Sequence, residues 1–208
     1  MIKYLLILFT FTGLVFAAPV ATATWNFRID TNHSNIGFAV PIAGGLSKVR
    51  GKFSDFEMKL QYDPEDITRS TVDVNIKAAS VDTGIDQRDN HLRTADFFDV
   101  ENHSSISFKS KKIIKKDGRL ILVGDFTMRD VTKEISFPFT ITGREEKGEG
   151  QDKRVTMGFF AKLVLDRTKF NVNYQHGSVP NFIGNDVEID LNIMTRVLRP
   201  NKPPKKTD

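Results

Sequence analysis

The chain has no cysteine. That excludes a disulfide framework, a thiolate nucleophile, a lipoprotein anchor and any zinc or iron–sulfur site held through sulfur. It also lacks a large charge of one sign: 30 Lys+Arg stand against 26 Asp+Glu, a net +4. A surface so balanced does not suit a nucleic-acid scaffold, which neutralises many phosphates at once. Histidine is scarce. His33, His91, His103 and His176 are all there is, and no two stand at the His-x-x-x-His spacing of a metal site. No Gly-x-Ser-x-Gly nucleophile elbow occurs, and no glycine-rich phosphate loop. A Ser-His-Asp triad assembled from distant segments stays open, but Ser34 beside His33 reads better as a hydrogen-bonding turn.

Long apolar runs are absent except at the start. Lys3 precedes an apolar stretch over residues 5–16, and Ala21-Thr22-Ala23 follows as a small-x-small cleavage site. That order is a secretory signal peptide over residues 1–23, too short to span a bilayer at ~20 residues. Cleavage after Ala17 is the alternative. Export without any cysteine fits a bacterial periplasm, and the expected mature protein begins at Thr24. At the other end residues 197–208 are rich in Pro and Lys, with no apolar residue after Leu198. They read as a disordered basic tail.

Between these ends the pattern is alternation. Val72, Val74, Ile76 and Ala78 share one face of a strand; Thr71, Asp73, Asn75 and Lys77 share the other. Ile135, Phe137, Phe139 and Ile141 repeat the pattern. So do the odd-numbered residues from Val155 to Leu165 and from Val187 to Ile193. Period two over this many segments predicts an all-β domain over residues 24–196, with about nine or ten strands. Asp117-Gly118 signals a two-residue hairpin, and the polar stretch over residues 143–152 signals another turn. One helix is expected near residues 86–98, with Asp86 able to cap it. Short connections favour antiparallel pairing, and strands with one apolar face bury it by stacking sheets or by closing a barrel.

Phenylalanine is abundant where tyrosine and tryptophan are not: 17 Phe against 3 Tyr and 1 Trp. Phe carries no polar handle. Phe38, Phe137, Phe139 and Phe159 fall on apolar strand faces, where they either fill a core or line a dry tunnel. An 11-residue strand tilted as in a barrel stands roughly 28 Å tall, deep enough for a long lipid chain.

Several segments, in order, resemble the YceI family of polyisoprenoid-binding periplasmic proteins. They are Ile29-Asp30 with His33-Ser34 and Phe38; Gly51-Lys52-Phe53 with Phe56; Ser80-Val81-Asp82-Thr83-Gly84; and Arg88-Asp89 with His91-Leu92-Arg93. Asp96-Phe97-Phe98-Asp99-Val100 and Ile106-Ser107-Phe108-Lys109-Ser110 follow. Thr127-Met128-Arg129, Val131-Thr132-Lys133, Arg167 with Phe170 and Val172, and Gly184-Asn185 with Val187 complete the series. Each piece is weak alone; their order and spacing are specific. The resemblance implies an extended, antiparallel, lipocalin-like β-barrel whose long hydrophobic pore holds a polyisoprenoid or a similar amphiphile. Three departures stand out. His103-Ser104 replaces a usual Tyr-Pro, and Asp130 and Asn171 replace usual glycines. Asp and Asn best tolerate left-handed backbone among non-glycine residues, so both turns should survive.

The expected lumen is Phe38, Val72, Val74, Ile76, Phe108, Phe137, Phe139, Phe159 and Leu163. The expected mouth is the helix with Arg88, His91, Arg93, Phe97 and Phe98, where guanidinium groups could meet a polar head and the Phe pair a chain. The same arginines could instead pair with Asp82, Asp86, Asp89 or Asp96 on a solvated face. The cluster of Lys109, Lys111, Lys112, Lys115, Lys116 and Arg119 could dock on anionic lipid but reads better as a solvated hairpin. The reading is a periplasmic carrier rather than an enzyme, with a lipid ligand, no metal or other cofactor and no nucleic acid. Contact with a membrane surface would be transient, and the oligomeric state is open, a homodimer included. Two rivals share the barrel: an enzyme acting on an apolar lipid inside it, and a quinone-binding stress or electron-transfer accessory.

Overall fold

The computed structural model describes residues 24–149, 154–177, 179 and 181–196. The expected leader over 1–23 and tail over 197–208 lie outside these residues. Eleven strands follow in chain order: β1 Trp25–Ile29, β2 Asn35–Ile42, β3 Ser47–Phe53, β4 Phe56–Tyr62, β5 Thr71–Lys77, β6 Val81–Asp82, β7 Ser105–Lys116, β8 Arg119–Met128, β9 Val131–Lys147, β10 Arg154–Asp166 and β11 Asp186–Arg196. One α-helix, α1 Asp86–Arg93, stands between β6 and β7.

Every pairing is antiparallel, as the short connections require. The order β1-β4-β5-β7-β8-β9-β10-β11 closes on itself, because β1 pairs with β4 through Trp25–Phe27 and with β11 through Arg28 and Ile29. β2 continues along the same edge of β11, from Asn35 opposite Asn192 to Ala39 opposite Glu188. β3 and β6 then extend the wall towards α1. The result is an eight-stranded barrel with a flap of three further strands.

Different connections close the two ends of the barrel. At one end the chain turns through the 3-10 segment Ile67–Arg69, and Phe27, Tyr62, Val155 and Met157 pack together into a plug. At the other end α1, the loop after it, the 3-10 segment Arg167–Phe170 and the residues Tyr174, His176, Phe182 and Ile183 converge. Phe126 meets Phe170 edge-on at 5.1 Å, and Tyr174 touches both His91 and Phe97 at about 5 Å.

Local chemistry explains the turns. Asp117 and Gly118 both adopt positive φ, the two-residue hairpin expected there. Asp130 and Asn171 sit at φ of 60° and 61°, so both turns keep the left-handed geometry that glycine would supply most readily.

Three expectations change. α1 is shorter than residues 86–98. Thr94 leaves helical geometry, and the Phe98 N–H returns to the Leu92 carbonyl, so residues 95–98 form a turn. Asp86 does not cap it, since Ile85 holds the cap position without a side-chain bond. Asp89 folds back instead, accepting from the Thr83 N–H at 2.9 Å and the Thr83 hydroxyl at 2.5 Å. Finally, β9 runs through Gly143 to Lys147 rather than turning there. Its partner positions Val155 and Met157 are 0% and 1% exposed, and burying them carries the ladder onward past a bulge beside Gly158.

Candidate functional site

A cavity of about 520 Å³ runs along the barrel axis, from Tyr62, Ile67 and Ser70 at the plugged end to Tyr174, His176 and Phe182 at the α1 end. That volume lies in the range of ordinary ligand sites. Strand pleating lines it. Every second residue of β4, β5, β9, β10 and β11 faces in, so Met58, Leu60, Val72, Ile135, Leu165, Val187, Ile189 and Leu191 join the wall.

All nine expected lumen residues line this space: Phe38, Val72, Val74, Ile76, Phe108, Phe137, Phe139, Phe159 and Leu163. Phe108 and Phe137 meet at 5.7 Å between ring centres, and Phe38 leans on Phe53 at 5.6 Å. Two glycines make room for these rings. A Cβ on Gly51 would lie 2.5 Å from the Phe38 ring, and one on Gly124 would lie 2.5 Å from the Phe108 ring and collide with the Lys109 carbonyl. Each Phe lies over a cross-strand glycine, an arrangement that seals a sheet where a side chain is missing.

The expected mouth residues divide. Arg88, His91, Phe97 and Phe98 line the cavity. Arg88, His91 and Leu92 are three and four residues apart, so one face of α1 presents them inward. Arg88 donates from Nε to the Thr83 hydroxyl at 2.7 Å and from Nη2 to the Thr83 carbonyl at 3.0 Å. His91 places Nε2 2.7 Å from Asp96 and packs edge-on against Phe97. Arg93 is not part of this wall. Its guanidinium donates to the carbonyls of Ala79 and Val81 and to Asn90, which fastens α1 to the strand before it.

The structure adds residues that alternation did not reveal. Arg167, Tyr174, His176, Phe182 and Ile183 all line the α1 end. They come from a 3-10 turn and a loop, where no periodicity betrays an inward face. Arg167 is 4% exposed and donates to the carbonyls of Gly184, Val172 and Ile183 and to Asn185. Burial pulls its affinity for the proton below the usual arginine range, which nearby Asp166 partly offsets. Among the described residues no cluster of three or more His, Asp or Glu is placed to hold a metal ion.

A closed antiparallel ring around an apolar interior, with a short helix at one end, defines a lipocalin-like barrel. Within that class the sequence is assignable: residues 27–195 match the YceI-like domain, and the chain belongs to that family. A UPF0312 protein of Vibrio cholerae serotype O1 is 36% identical over 141 residues, spanning 66% of this chain and 71% of the relative. The solved structure of Burkholderia cenocepacia BcnA superimposes with a TM-score of 0.69 at 20% identity, covering 81% of this chain and 99% of BcnA. A polyisoprenoid binding domain from Saccharophagus degradans has a TM-score of 0.59 at 12% identity, over 83% and 98% of the two chains.

Proposed function

We propose that this protein is an exported, periplasmic carrier that holds a polyisoprenoid or a similar long-chain amphiphile in the barrel lumen, and that it performs no chemistry on it. The observation that carries the reading is the long cavity along the barrel axis, walled by Phe and aliphatic side chains. Its polar groups stand at the two ends, so the middle offers a chain burial and nothing to react with. The polyisoprenoid binding named for the Saccharophagus degradans neighbour supports the ligand class. The apolar run over residues 5–16 with its Ala21-Thr22-Ala23 site supports export. Loading and unloading place the carrier in transient contact with a membrane surface.

Each methylene moved out of water contributes about 0.8 kcal/mol, so a long chain should survive purification. Mass spectrometry of an organic extract of the purified protein should show a stoichiometric long-chain lipid, recovered chemically unchanged. A substrate converted to product on the protein, with nothing added, would turn the reading towards an enzyme. Phe139→Glu places a carboxylate in the wall and should abolish retention of the lipid. A folded Phe139→Glu protein that keeps its ligand would refute the lumen as the binding site.

A further inference from the structure

The polarity of the lumen has one sign. Among the described residues that line it, the titratable groups are Arg88, His91, Arg167, His176, Tyr62 and Tyr174, and there is no Asp, Glu or Lys. All but Tyr62 stand at the α1 end. Of the carboxylates beside these groups, Asp96 pairs with His91, while Asp89 is bonded to Thr83 and Asp166 to the Thr168 N–H and hydroxyl. Arg167 is the sharpest case. It is buried, and each hydrogen bond it makes goes to a neutral oxygen. Arginine stays protonated in proteins, so the end of an apolar cavity carries a cation with no carboxylate bonded to it, its charge only partly offset by nearby Asp166. A buried charge of this kind normally occurs paired. Arg88 adds a second cation, and its Nη1 makes no hydrogen bond among the described residues.

We propose that the lumen selects its ligand by the charge of the head: it takes long-chain amphiphiles with an anionic oxygen head, seated at the α1 end facing Arg88 and Arg167, and rejects cationic ones. This rests on the reading of the barrel as a lipid carrier. An anionic head supplies a directly bonded negative partner and forms charge-assisted hydrogen bonds. An ammonium head adds a second uncompensated positive charge in a space of low dielectric. A neutral alcohol does neither. The chain contributes equally to all three, so a series of one chain with three heads isolates the effect.

The test uses the delipidated mature protein with geranylgeranyl phosphate, geranylgeraniol and geranylgeranylamine, at neutral pH and low salt, each below its micelle concentration. The phosphate should bind about tenfold tighter than the alcohol, and the amine about tenfold weaker. Arg88→Gln should narrow the gap between phosphate and alcohol severalfold, and Arg167→Gln should narrow it further. If Arg167→Gln does not fold, the ligand ranking in wild type and Arg88→Gln still decides. Equal affinity for all three heads, or tightest binding of the amine, overturns the charge rule and leaves the lipid carrier standing. Binding of none of them overturns the carrier itself, and the charge rule with it.

Discussion

Arg88 and Arg93 stand five positions apart on the same helix and do different work. Arg88 faces the lumen, while Arg93 bonds two backbone carbonyls, those of Ala79 and Val81. Arg93→Ala should therefore destabilise the fold by about 1.5–3 kcal/mol in chemical denaturation, with no change in the ratio of phosphate to alcohol binding. The same scale separates two glycines. Gly124→Ala presses on backbone, the Lys109 carbonyl, and should cost about 1–3 kcal/mol of stability. Gly51→Ala presses on the Phe38 ring and the Thr83 methyl. That ring can swing, so the variant should fold well, yet lose affinity for long chains because the ring moves into the lumen. Thermal melts and a chain-length series of ligands read the two effects separately.

Two 3-10 turns close opposite ends of the barrel and are fastened in the same way. Asp66 accepts from the Thr68 N–H and hydroxyl, and Asp166 does the same for Thr168. These bonds hold both carboxyls below their ordinary value of 3.8. A carboxylate depressed in the folded state stabilises the protein above its unfolded value and loses that contribution as pH falls through the folded one. Stability should be flat near neutrality and decline on acidification below about pH 4. The Asp66→Asn/Asp166→Asn protein should show a shallower decline in an acid titration followed by circular dichroism. An unchanged slope would assign acid sensitivity elsewhere. Elements also show what a sequence can disclose. In β5, β9, β10 and β11 one face meets the lumen and the other meets water, so alternation exposes the wall directly. β1 and β6 are too short for a period to register. β9 continues beyond Gly143 because Val155 and Met157 across the ladder need covering, a demand that lies on another strand. The polar end was legible only in part: the helix disclosed Arg88 and His91, while Arg167, Tyr174 and His176 are brought to the lumen by loop geometry, and nothing in their local spacing marks an inward side chain.

For the whole molecule, a ligand held in the lumen belongs to the folded state alone. Saturation at ~100 times the dissociation constant should raise the unfolding free energy by about 2.7 kcal/mol. Delipidated protein should therefore melt lower than protein as purified, and refilling should restore the difference. A melting point indifferent to lipid would place the bound chain outside the barrel.

The pairing of Arg28 with Arg196 and Ile29 with Thr195 also dictates when the protein can finish folding. Its seam joins the first strand to the last. A chain released from its amino end forward can form hairpins such as β7–β8 early, but the ring stays an open sheet, its greasy side bare, until β11 arrives. Contacts so distant along the chain form slowly, and the unsealed sheet offers free edges to other copies in the meantime. A chain stopped after Asn185 should accumulate as aggregates rather than as a smaller barrel, and full-length refolding should slow and lose yield as concentration rises.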